Sequence, residues 1–221
     1  MGKPSKKADL ESRIRGVIEV LRSTYDQHEL ARITAADPFK TLIGGILSAR
    51  AKDTQTAPVC RALFAQATDA QALLAIPAAK LIEIIRPIGF FNEKAKALRR
   101  TCEILLEKHG GKVPDTLEEL IELAGVGRKV ANLVLSNVFR KDAICVDTHV
   151  HRIANRLGWV ETGDVFATEL RLMEIVPREF WRSINFVFVR HGQECCLPIS
   201  PWCSRCPIAS ACARCNVGKS R

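Results

Sequence analysis

The chain has 221 residues, with 33 Lys and Arg against 24 Asp and Glu, a formal net charge of +9. That length supports one large or two small domains with real cores, and the basic surplus favours a polyanionic partner, nucleic acid ahead of membrane. No apolar run reaches the ~18 residues that a membrane span needs, and the opening MGKPSKKADLESRIRG has no apolar signal segment. The expectation is a cytoplasmic protein with no membrane partner, whose nine cysteines are metal ligands and buried thiols rather than disulfides.

Residues 1–8 are polar and Lys-rich and read as a frayed tail. Apolar residues then recur at helical spacing from Leu10 to Leu21, and residues 22–36 have loop character. Pro38 stands at the start of a strongly apolar helix carrying Phe39, Leu42, Ile43, Ile46 and Leu47. The turn Ser48-Ala49-Arg50-Ala51-Lys52-Asp53 ends it. Helical patterns follow at 54–66, 69–75 and 78–86, until Ile88-Gly89-Phe90-Phe91-Asn92 interrupts them. Asn92 reads as the N-cap of a long helix to His109, closed by Gly110-Gly111. Asp115 or Thr116 caps the next helix, with Glu118 and Glu119 in its first turn. After Asp147, helical patterns resume at 148–157, 164–175 and 178–190. No convincing strand is found, so the fold class is all-α, built from many short helices.

The chain is organised around LAGVGRKVANLVLSNVFRKDAICVD, Leu123 to Asp147. Gly125 and Gly127, flanking Val126, allow a tight turn and close approach to the backbone. The helix that follows offers unpaired N–H groups and a partial positive charge, a site suited to phosphate. Lys129 sits in its first turn and shares a narrow polar stripe with Asn132 and Ser136. A helix from Gly127 to Arg140 is roughly 21 Å long. The connection from Lys141 to Asp147 spans about 23 Å when extended. It can therefore return Asp147 to the level of Lys129. A Lys near a carboxylate and a phosphate-binding turn is a candidate activated amine. On spacing alone, the same pattern also describes a helical hairpin with a surface Lys and an N-capping Asp.

Cys196, Cys203, Cys206 and Cys212 form C-x6-C-x2-C-x5-C. Four thiolates so close together can wrap one tetrahedral metal or one iron–sulfur cubane, and spacing does not choose between zinc and iron–sulfur. A closed four-thiolate site favours a structural role. Cys195 and Cys215 flank the set as spares, while Cys60, Cys102 and Cys145 lie in apolar patterns as buried thiols.

The Gly-Val-Gly-Arg-Lys turn, the stretch Val146-Asp147-Thr148-His149 and the cysteine tail, in this order, resemble the endonuclease III family of DNA glycosylases in the helix-hairpin-helix superfamily. The resemblance runs from about Leu10 to Cys212. It implies two helical lobes. One is a six-helix barrel over 31–141 ending in the helix-hairpin-helix. The other is a cluster lobe joining 1–30 to 142–221 and carrying a [4Fe–4S] cluster on Cys196, Cys203, Cys206 and Cys212. It also implies a monomer, nucleoid-associated, that binds double-stranded DNA with a damaged base or an abasic site. Gly125, Val126 and Gly127 would hold a backbone phosphate, and the target nucleotide would be extruded from the stack.

By the same resemblance Lys129 is the nucleophile at the sugar C1′ and Asp147 its helper, able to stabilise positive charge on the sugar. A Schiff base then permits β-elimination. The implied activity is that of a bifunctional glycosylase and AP lyase removing oxidised pyrimidines. Leu47-Ser48-Ala49 and Ile88-Gly89-Phe90 stand where the family has its DNA-penetrating loops. Phe90 is a candidate wedge between bases, with a core aromatic as the other reading. Arg50 stands where Gln is frequent and could fill the vacated space and bond the orphaned base, or simply contact phosphate.

Two positions depart from the family pattern. Ala124 replaces a usual Pro, which softens the turn slightly. The cluster loop Leu197-Pro198-Ile199-Ser200-Pro201-Trp202 has none of the basic residues frequent there, only Arg205 nearby, so a fold-holding role gains weight. The alternatives are a related glycosylase with mismatch specificity, or a DNA-binding or redox module with weak catalysis. Lys129 speaks against the mismatch and adenine glycosylases, which carry a different residue there.

Overall fold

The structure is a computed structural model and describes residues 6–25, 29–34 and 36–221. Twelve α-helices run, among the described residues, as α1 (Lys6–Thr24), α2 (Glu29–Thr34), α3 (Pro38–Ser48), α4 (Asp53–Phe64), α5 (Ala70–Ala75) and α6 (Ala78–Ile85), then α7 (Phe91–His109), α8 (Leu117–Ile121), α9 (Arg128–Asn137), α10 (Thr148–Arg156), α11 (Val165–Ile175) and α12 (Trp181–Glu194). The described residues contain no strand, as the absence of alternating patterns requires. No helix among them is long and apolar enough to cross a membrane. The chain divides into two compact units, Gln27–Lys141 and the pair Met1–Asp26 with Asp142–Arg221.

In the unit Gln27–Lys141, capping chemistry sets the helix ends. Asp37 accepts from the Lys40 amide at 2.9 Å, ahead of Pro38 at the first helical position. Of the two candidate caps for α8, Thr116 does the work, accepting from the Glu119 amide. Gly110 closes α7 in the left-handed conformation. Helix α3 is buried along most of its length, from Phe39 to Leu47. It can be, because Gly44 and Gly45 carry no side chain. A Cβ on Gly45 would lie 2.6 Å from Val130 Cγ1 of α9, and one on Gly44 2.8 Å from Thr34 Cγ2 of α2.

Three expectations for this unit are corrected. Residues 29–34, read as loop, form α2, whose single buried side chain, Leu30, is too little for a periodic pattern. Asn92 lies inside α7; the cap position belongs to Phe90, in the left-handed conformation at φ +60°. Helix α9 ends at Asn137 rather than Arg140, which itself turns left-handed at φ +55°.

In the other unit, α1 buries Ile14, Val17, Ile18 and Leu21 in one core with Val150 and Ile153 of α10 and Ile184, Val187 and Phe188 of α12. Each fully buried side chain of this size is worth about 1.5–3 kcal/mol. The tail expected over residues 1–8 lies outside the described residues as far as position 5, and α1 is already helical at Lys6. Asp164 caps α11 by accepting from the Ala167 amide at 2.8 Å.

Candidate active site and metal centre

The hairpin before α9 is built by close packing. Gly125 takes φ +76°, and a Cβ there would meet Ala97 Cβ at 2.9 Å and Ile46 Cγ2 at 3.3 Å. Only glycine satisfies both the backbone conformation and the space. The Val126 amide donates to Leu123 O at 3.1 Å, and Thr101 Oγ1 donates to Ala124 O at 2.8 Å. Val126 is buried, whereas Gly125 and Gly127 are exposed with their backbone. Lys129 follows in the first turn of α9, half-buried. Its stripe-mates Asn132 and Ser136 are fully buried, so the polar stripe faces inward beyond the first turn.

Asp147 is the N-cap of α10. Its Oδ1 accepts from the His149 amide at 2.8 Å and the Val150 amide at 2.9 Å. The cap fixes the rotamer of the carboxylate, and Oδ2 takes no part in it. Arg152, one turn on, is held by the carbonyl of Cys196 (2.9 Å) and that of Gly192 (3.2 Å). His151 Nδ1 pairs with Thr168 Oγ1 at 2.7 Å. Arg152 and His151 are therefore tied into their own unit.

Arg50 and Phe90 stand at exposed tips, and both are non-glycine residues with positive φ, +55° and +60°. Phe90 is 63% exposed while its neighbour Phe91 is half-buried, so Phe91 is the one that packs inward. A bulky side chain held left-handed costs conformational energy, and here it is also exposed to water.

The four cysteines Cys196, Cys203, Cys206 and Cys212 line one cavity with Cys195 and His191, which encloses about 410 Å³ of atom-free space, part of it open to solvent. His191, Cys195 and Cys206 form a donor group whose ligand atoms all lie within 4.8 Å of one another. Cys215 is exposed. Burial pushes the Cys206 thiol up to about 12 and raises Cys195 and Cys212 in the same direction. A metal cation among these sulfurs would favour their thiolate forms, and a soft, sulfur-rich donor set of this kind suits zinc or iron–sulfur. The residues thus fit a metal centre. Cys60 and Cys102 are buried, each pushed up to about 12 by desolvation, as inert thiols should be.

Sequence reasoning missed two residues here. His191 Nε2 lies 3.7 Å from Cys206 Sγ, and its Nδ1 lies 3.0 Å from the Tyr25 hydroxyl. Burial, with Arg152 nearby, lowers its pKa to about 4, so it is neutral. The legible signal was its place one helical turn before Cys195. Arg156, buried at the end of α10, donates to Cys196 Sγ at 3.3 Å, to Leu197 O at 2.7 Å and to Pro198 O at 2.8 Å. The cluster loop also has more charge beside it than Arg205 alone. Arg205 and Arg221 each lie 4.3 Å from the centre of the Trp202 ring, and the Arg221 amide donates to Pro201 O at 2.8 Å.

Comparison with known proteins gives this geometry its family. The profile described as HhH-GPD superfamily base excision DNA repair protein matches residues 43–178. The chain is 43% identical over 176 residues to the Endonuclease III of Thermotoga maritima, covering 80% of this chain and 83% of that one. It is 39% identical over 197 residues to the Endonuclease III of Haemophilus influenzae, covering 88% and 93%. A solved structure of a trapped endonuclease III–DNA covalent intermediate superimposes with a TM-score of 0.82 at 34% identity, covering 92% of this chain and 96% of that one. The chain belongs to the endonuclease III family of the HhH-GPD superfamily, base-excision-repair DNA glycosylases with AP lyase activity.

Proposed function

We propose that this repair glycosylase and lyase takes oxidised pyrimidines in duplex DNA as its substrates, working as a monomer in the nucleoid. Lys129 is its nucleophile and Asp147 its acid–base partner. The observation that carries the reading is the coincidence, in an endonuclease III relative, of a lysine in the first turn behind the glycine hairpin and a carboxylate whose rotamer is locked by a helix cap.

The target nucleotide leaves the stack, since a base inside a duplex cannot be reached. The amides of the Gly125–Gly127 hairpin grip the backbone phosphate beside it without reading sequence. The Lys129 amine, neutral after giving up a proton, attacks C1′. The bond from C1′ to the base breaks, and the base leaves with the electron pair and takes a proton. Asp147 stabilises the positive charge that grows on the sugar and receives the proton of the attacking amine. Ring opening gives a Schiff base between Lys129 and C1′. Loss of a proton from C2′ then expels the 3′ phosphate, and water releases the lysine. Phe90 wedges into the stack and Arg50 bonds the orphaned base.

A [4Fe–4S] cluster on Cys196, Cys203, Cys206 and Cys212, when bound, supplies the cross-link that holds this loop-rich tail folded. His191 and Arg156 hold the sulfurs in place around it.

Borohydride reduction in the presence of abasic-site DNA tests the central assignment. Wild-type protein should be trapped covalently and Lys129→Ala should not; equal trapping by both would overturn it. Thymine-glycol duplexes should be nicked faster than duplexes carrying a G·T mismatch, and the reverse order would replace the lesion class.

A further inference from the structure

Lys94 is the one lysine among the described residues whose side chain is buried, at 7% exposure. It lies on the inner stripe of α7 with Leu98, Thr101 and Leu105, where an apolar residue would serve the core. Its Nζ donates to Leu47 O at 2.8 Å. That carbonyl belongs to the last turn of α3, where helical N–H partners run out and the helix dipole favours a cation. Three residues after Leu47 the chain reaches Arg50. At its other end, the Lys94 amide donates to Phe90 O at 3.0 Å. One residue is therefore bonded to the segments that carry both strained tips.

We propose that Lys94 is a positioning residue that ties the Arg50 turn to the Phe90 turn, so that wedge and orphan-base partner enter the duplex as one unit. This rests on the reading of Arg50 and Phe90 as gap-filling residues. Burial lowers the Lys94 pKa from its ordinary value, which marks the charge as a cost to folding that an uncharged side chain would not carry. The residue type is therefore explained by what it connects. Without the strut, the turns at Ala49–Lys52 and Ile88–Phe90 would keep their own local bonds, Ala51 N to Ser48 O and Ile88 N to Ile85 O, and would lose their common spacing.

The test compares wild type, Lys94→Met and Lys94→Arg. Base release is measured on lesion duplexes with each of the four opposite bases, and strand cleavage on a single strand that already carries an abasic site, where nothing has to be wedged or orphaned. Lys94→Met should lose base release on duplex about tenfold more than cleavage on the single strand, and its preference among opposite bases should flatten. Lys94→Arg, which can still reach Leu47 O, should recover much of both. Equal losses on the two substrates, or an unchanged duplex rate and profile, would overturn the proposal. If Lys94→Met fails to fold, Lys94→Gln is scored by the same ratio. A wild type indifferent to the opposite base would remove the role of Arg50 itself, and Lys94 would still stand or fall on the duplex-to-single-strand ratio.

Discussion

Arg156 points its guanidinium at the sulfur of Cys196, 3.3 Å away, and its other bonds hold the carbonyls of Leu197 and Pro198. One buried cation thus donates to a cysteine sulfur of the cavity and shapes the loop that follows it. Replacing it with methionine would leave two carbonyls without partners, a loss of about 2–4 kcal/mol. Arg156→Met should melt several degrees lower than wild type. If the proposed [4Fe–4S] cluster is bound, its visible absorbance should bleach faster in air. Arg156→Lys should rescue only in part, because an ammonium cannot span three acceptors. An unchanged bleaching rate would reduce Arg156 to a packing residue.

Asp147 caps α10 and is the proposed acid–base partner, and two substitutions separate the two roles. Asparagine caps helices about as well as aspartate, so Asp147→Asn should keep its melting temperature while base release falls by two or more orders of magnitude. Asp147→Ala should lose the activity and about 1 kcal/mol of stability as well. Calorimetry beside a nicking assay checks both. Full activity in Asp147→Asn would confine this residue to holding α10.

The two hairpin glycines make opposite demands. At Gly125 an added Cβ strikes Ala97 and the backbone stands at φ +76°, so Gly125→Ala should cost about 1–3 kcal/mol. At Gly127 nothing lies within 4 Å of an added Cβ and φ is −98°, so Gly127→Ala should fold normally. If the hairpin grips phosphate, Gly127→Ala should nevertheless weaken DNA binding several-fold, because the methyl group stands where the strand must come close. Equal affinity in Gly127→Ala would move the phosphate elsewhere.

Trp202 carries two guanidinium groups, from Arg205 and Arg221. Each exposed pair of this kind is worth about 0.5–1 kcal/mol, and the Ser204 amide adds a bond to Arg221 O at 2.9 Å. Trp202→Leu keeps the apolar bulk and loses the stacking. Limited proteolysis should then cut the segment 214–221 faster than in wild type, with the helices untouched. Unchanged cleavage would show the backbone pairing to be sufficient.

What could be read from the chain was local. Asp37 before Pro38, Thr116 before Glu119 and Gly110 after His109 announce helix ends because capping acts within a few residues. The glycine hairpin and the four spaced cysteines stand out by their spacing, and family resemblance added the roles proposed for Lys129 and Asp147. What escaped was set by distance along the chain. Lys94 meets Leu47 across 47 residues and Arg156 meets Cys196 across 40; Arg221 reaches Trp202 by folding back. The cap position of Phe90 escaped for another reason. A left-handed phenylalanine at a helix start defies the propensity that pointed to Asn92, and such defiance is expected where function outweighs local preference.

Gly45 has no group that could react, yet the helix bearing Lys129 rests on it, with Val130 Cγ1 only 2.6 Å from where a side chain would begin. A single methyl there would lever α9 outward, and displacements near one ångström can cost a hundredfold in rate. Loss of repair should therefore surface at this silent hydrogen as readily as at the proposed nucleophile, and a variant there would be mistaken for a defect of chemistry when it is one of clearance.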